Sequence, residues 1–130
     1  MTKKELSQLY HLNLEIEDDI RRLLELENAA TKTTASYGGA ACNGKVTNKT
    51  ALAAEIADLK SIISAKQIQS VAEYNRLVRY ISGIEDSFIR RIFTCRFIDG
   101  LSWGAVAKRV SGNNTADSVR KCCDRFLRKK

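Results

Sequence analysis

The sequence predicts an all-α chain: a long antiparallel helical hairpin, coiled-coil-like, followed by a three-helix helix-turn-helix domain. Three observations carry that expectation. The 130 residues include no proline, so no helix interior loses a backbone donor or meets a ring clash. Apolar residues recur at three- and four-residue spacing through two long stretches. A third, C-terminal stretch is cut into short pieces by glycine, serine, asparagine and threonine at intervals that suit turns and caps.

The first helix starts at a T-x-x-E capping box, Thr2 with Glu5. Leu6, Leu9, Ile16, Ile20 and Leu23 follow on one stripe, with Asn13 inside it. The helix is expected over residues 3–30. Asn13 has two readings, a register-setting polar residue in a coiled coil or a polar residue at a wet edge. Residues 31–46 have no period and hold Gly38, Gly39 and Gly44, which predicts a flexible connection. A second helix is expected from about residues 47–50 to Ser82. Its face carries Leu52, Ile56, Leu59, Ile63, Tyr74, Leu77, Ile81 and Ile84, with a polar stretch at Lys66, Gln67 and Ser70. Two such helices should pack antiparallel. A lone pair buries little surface, so a partner is expected, most simply a second copy forming a homodimer.

Ser82-Gly83 is the expected hinge, since glycine weakens a helix interior by about 1 kcal/mol relative to alanine. The chain is accordingly divided into 1–83, a helical hairpin for dimerisation or partner binding, and 84–130. Charge divides at the same place. Residues 1–84 hold 11 Lys/Arg and 10 Asp/Glu, whereas residues 85–130 hold 11 and 5. A strongly basic C-terminal part points to a polyanion, although a solvated tail has the same composition.

Within 84–130, a helix is expected over Glu85–Phe97, with Phe88, Ile89, Ile92 and Phe93 inward. Asp99-Gly100 is a turn pair. Ser102 caps a helix over Trp103–Val110, and Ser111-Gly112-Asn113-Asn114 forms a tight turn. Thr115 caps the last helix, Ala116–Arg128. A helix, a glycine-containing turn and a second helix at this spacing match the helix-turn-helix pattern, whose second helix enters the DNA major groove N-terminus first. The candidate DNA-binding residues are therefore Thr115, Ala116, Asp117, Ser118, Arg120, Lys121 and Arg125. Lys108 and Arg109 on the preceding helix join them, as does Arg96 on the supporting helix, where Arg90 and Arg91 also lie. Arg120 and Lys121 suit guanine edges or phosphates.

Other chemistries have less to stand on. The four cysteines show no CxxC spacing, and His11 is the only histidine, so no metal site is expected. No phosphate-cradling glycine loop or nucleophile–base pair is visible, so neither an enzyme nor a cofactor is expected, and no catalytic residue is assigned. The N-terminus lacks a signal-peptide core and no apolar run has membrane length. A cytoplasmic protein with no membrane partner is expected.

The stretch Arg96 to Ala107, with its Gly100-Leu101-Ser102-Trp103 core, resembles the fourth region of bacterial sigma factors, and Ser118-Val119-Arg120 is similar to the start of that region's recognition helix. The turn at Ser111–Thr115 is one residue longer than the usual one. The whole chain also resembles a family of small phage and prophage regulators, through Lys3–Leu6, Glu55–Lys60, Asp99–Trp103 and Asn114–Arg120. The resemblance implies a sigma-like transcription regulator acting at promoters on double-stranded DNA and touching RNA polymerase. No promoter-melting region is visible, which favours an activator-like protein over a complete sigma factor. The alternative is an adaptor that binds RNA polymerase without DNA affinity of its own.

Overall fold

The computed structural model describes residues 1–35 and 43–129, with side chains described over 1–31 and 50–129. The described residues form α1 (Lys3–Leu6), α2 (Gln8–Ala35), α3 (Asn43–Ser82), α4 (Ser87–Phe93), a π-helical turn (Thr94–Ile98), α5 (Trp103–Val110) and α6 (Ala116–Arg128), with no strand among them. The chain is all-α, as its proline-free periodic sequence predicts.

The predicted start is present as a full capping box. The Glu5 N–H donates to the Thr2 hydroxyl at 3.2 Å, and the Thr2 N–H donates to the Glu5 carboxylate at 2.7 Å. The first helix is not one piece, however. Ser7 separates α1 from α2, and its hydroxyl donates to the Lys3 carbonyl at 2.9 Å. Such back-bonding offers the chain an alternative to the regular ladder.

The connection expected over 31–46 is shorter than the sequence suggests. Residues 31–35 belong to α2 and 43–46 to α3; residues 36–42 of that segment lie outside the described residues. The Thr31 hydroxyl donates to the Glu27 carbonyl at 2.9 Å. Adding residues to a formed helix is far cheaper than nucleating one, and no proline stands in the way.

The described chain forms two compact units, one of Asn13–Gln69 and one of Met1–Leu12 with Ser70–Lys130. The second unit therefore extends beyond the 84–130 segment that charge and Gly83 mark out. Leu6, Leu9, Leu77 and Ile81 are buried in the same core as Ile92, Phe93, Val106 and Val119. Three short helices offer too little apolar surface to each other, and the flanking segments supply the rest. Phe93 is fully buried at the centre. Its ring meets Phe97 edge-on at 5.3 Å and Phe126 edge-on at 5.5 Å, and stacks on Tyr80 at 6.4 Å.

In the unit Asn13–Gln69, α2 and α3 run antiparallel. Lys66 pairs with Asp19 at 2.6 Å and lies 3.6 Å from Glu15, while Lys60 lies 3.7 Å from Glu27. The inner face of α2 differs from the expected stripe. Asp19 is buried and Ile20 is 39% exposed, because the seam continues from Ile16 by three residues rather than four. On α3, in the other unit, Tyr74 is likewise exposed while Leu77, three residues on, is buried.

Candidate nucleic-acid interface

The basic C-terminal part folds around three capped helices and a tight turn. Asp86 caps α4 by accepting the Phe88 N–H at 2.8 Å. The helix expected over Glu85–Phe97 is α4 from Ser87, followed by the wider π-helical turn, in which the Asp99 N–H reaches back five residues to the Thr94 carbonyl at 2.9 Å. Gly100 then turns the chain at φ +70°. Ser102 caps α5 and Thr115 caps α6. Between them Ser111 and Gly112 take φ of 63° and 79°, and the Asn114 amide donates to the Ser111 carbonyl at 2.7 Å.

The leading end of α6 faces solvent. Thr115 and Asp117 are exposed, and Ala116 and Ser118 are half-buried. Thr115 and Ser118 serve the cap reciprocally: the Ser118 N–H donates to the Thr115 hydroxyl at 3.1 Å and the Thr115 N–H to the Ser118 hydroxyl at 2.9 Å. The Ser118 hydroxyl also donates to the Thr115 carbonyl at 2.9 Å. Its one hydroxyl proton is thus committed to holding the helix start.

Along α6, Val119 and Cys123 are fully buried and Phe126 and Leu127 partly so. At about 100° per residue, Asp117, Arg120, Lys121, Asp124 and Arg128 share one arc on the opposite side. Arg120, Lys121 and Arg128 are exposed there. Arg125 is also exposed but sits to one side, over a groove with Phe88, Ile89 and Phe126. The two acids in the arc are each engaged. Asp117 lies 3.4 Å from Arg120, an exposed pair one turn apart. Asp124 receives a 2.8 Å hydrogen bond from Lys3, which also lies 5.9 Å from the Trp103 ring centre. Among the described residues, no ion pair engages Lys121, Arg125 or Arg128.

The remaining predicted cations divide into two kinds. Lys108 and Arg109 are exposed in the last turn of α5, where cations suit the helix dipole; Arg109 lies 3.7 Å from Asp99. Arg91 is exposed and donates to the Arg109 carbonyl at 3.2 Å. Arg96 and Arg90 serve the fold. The Arg96 guanidinium lies 4.6 Å from the Trp103 ring centre and donates to the Leu101 carbonyl at 2.9 Å. Arg90 turns back to the Ile84 and Glu85 carbonyls at 2.6 and 3.2 Å. A guanidinium stacked on an indole or forked onto carbonyls is a structural tie before it is a ligand group.

Lys3 is the residue that sequence reasoning leaves out of this surface. The only sequence-level signal is Asp124 itself, a carboxylate among cations that wants a partner. The hydrogen bond from Lys3 holds the Asp124 carboxyl below its ordinary range. Burial pushes the Cys123 thiol up to about 11, which suits a core residue with no thiolate chemistry. Among the described residues, no group of His, Cys, Asp and Glu is placed to hold a metal ion, and no helix is long and apolar enough to cross a membrane. No known protein family, curated protein sequence or solved structure matches the chain.

Proposed function

We propose that the chain is a sequence-specific transcription regulator that binds double-stranded DNA through α6, with α5 and the turn forming the rest of a helix-turn-helix. One observation carries the reading. The solvent side of α6 offers an open, capped helix start followed by Arg120, Lys121 and Arg128, while its other side is packed into the core. A helix so held projects its first turns as a rigid probe, and the cations behind them attract phosphate. Lys108 and Arg109 extend the positive surface. The resemblance of residues 96–107 and 118–120 to the fourth region of sigma factors supports promoter DNA as the target, with RNA polymerase as a second partner. Exposed Ile62 and Ile68, at 48% and 72% and both in the unit Asn13–Gln69, support a further protein contact through α3, for which a second copy of the chain is the simplest occupant.

The test is fluorescence anisotropy on a labelled random-sequence duplex of about 25 base pairs, titrated across salt. Wild type should bind at micromolar concentration or below. The double substitution Arg120→Ala/Lys121→Ala should weaken binding about 50-fold or more near 0.1 M salt and flatten the salt dependence by about two charges. Unchanged affinity in that variant contradicts the assignment of α6. Binding of RNA polymerase with no duplex binding by wild type would instead favour the adaptor reading.

A further inference from the structure

We infer that the N-terminal segment belongs to the nucleic-acid-facing surface, with Lys3 acting as a positioning charge that cancels Asp124, so that this carboxylate does not repel a phosphodiester backbone approaching the exposed arc of α6. The inference rests on the DNA-binding reading and deepens it.

The geometry of Asp124 is the starting point. It lies on the same arc as Arg120, Lys121 and Arg128, which are its neighbours at i−4, i−3 and i+4. Each of these is within reach of a local ion pair along a helix. Such a pair would occupy a cation that the arc presents to solvent. The partner is instead Lys3, 121 positions away in sequence, at 2.8 Å. Among the described residues, Lys121 and Arg128 stay exposed without an ion pair, and Arg120 keeps only its exposed contact with Asp117, while Asp124 is satisfied from the side.

Lys3 is held where it can do this. It sits in the first turn of α1, behind the Thr2–Glu5 capping box, and Leu6 and Leu9 anchor the segment in the core. Its ammonium also lies near the Trp103 ring. The pair itself is half-exposed, with side chains 49% and 30% accessible. An ion pair so open to water contributes little to stability, and the apolar anchors suffice to dock the segment. The charge placement therefore has its larger effect on whatever approaches α6. A bare carboxylate there, ionised at neutral pH as any ordinary aspartate is, offsets one cation against an approaching phosphate.

The experiment compares wild type, Lys3→Gln, Asp124→Asn and the double variant by anisotropy on the same random-sequence duplex near 0.1 M salt. Lys3→Gln keeps much of the stem and removes the charge. It should weaken binding about three- to tenfold, up to the share of one neutralised phosphate. Asp124→Asn should bind at least as tightly as wild type. The double variant should return to wild-type affinity, although it lacks the ion pair as completely as Lys3→Gln does. That recovery separates charge cancellation from mere docking of the segment. Lys3→Gln within about twofold of wild type, or a loss that persists in the double variant, overturns the inference. If Arg120→Ala/Lys121→Ala abolishes binding while Lys3→Gln has no effect, the role of Lys3 fails alone. If wild type does not bind the duplex, both readings fail.

Discussion

At the scale of single residues, the turn before α6 holds the clearest local strain. Ser111 takes φ 63° with ψ −179°, a region populated almost only by glycine. Its carbonyl is fixed there by the Asn114 amide. Ser111→Gly should therefore raise stability by about 1 kcal/mol, the relief of strain exceeding glycine's entropic cost. Thermal melting checks this, and a lower midpoint would show that the serine is not strained. The caps around this turn are legible in the sequence, because Ser102 and Thr115 stand directly before apolar-periodic runs. The left-handed serine is not, since Gly112 beside it is the residue that composition marks for that role. The Lys3–Asp124 pair is invisible for a different reason. Helical spacing relates near neighbours, whereas this contact depends on where two distant segments dock.

At the scale of elements, the α2–α3 pairing shows where periodicity stops being sufficient. The inner face of α3 through Leu52, Ile56, Leu59 and Ile63 follows directly from three-four spacing. The polar interruption at Lys66 is also visible, but its cause is Asp19 on the opposing helix, buried at 5% exposure. A rule that puts apolar residues inward selects Ile20 over Asp19, and only the partner's position reverses the choice. Lys66 is held in its charged form by that carboxylate, which raises its pKa. Lys66→Ala leaves Asp19 buried beside Arg22 alone, at 3.6 Å, and should lower the urea midpoint of the pairing. The double substitution Asp19→Leu/Lys66→Met should recover most of that loss, because a packed apolar pair has no charge to desolvate. Urea unfolding of the three proteins measures both effects. An uncorrected double variant would mean that the ion pair is needed for more than neutralisation.

At the scale of the whole molecule, several buried or paired groups hold protons more tightly when folded. The Cys123 thiol is pushed up from 9.0 to about 11 by burial, burial also raises Cys95 and Tyr80, and Lys66 is raised by Asp19. A group with a raised folded pKa contributes stability below its unfolded value and loses it as pH climbs toward the folded one. Stability should therefore decline through the interval from about 9 to about 11, mainly from Cys123. Denaturation midpoints against pH would test this, and Cys123→Ala should flatten the alkaline fall even though the cavity lowers stability overall. The lowered pKa values of Asp124 and Glu5 act on the other side. Their contribution is present above the ordinary carboxylate range and is lost as pH falls through it.

The all-α class and the start and stop of α5 and α6 are legible at this scale because capping and periodicity are local. The composition of the compact units is not. It depends on Leu6, Leu9, Leu77 and Ile81 joining the C-terminal core, and nothing in their spacing says which neighbour they will cover. The central claim concerns the exposed arc of α6, and amide chemical-shift mapping of the labelled protein on addition of duplex DNA tests it most directly. The expected result is perturbation concentrated at Thr115–Arg128, with weaker effects at Lys108, Arg109 and Lys3. Perturbations confined to Asn13–Gln69, or none at all at saturating duplex, would contradict it.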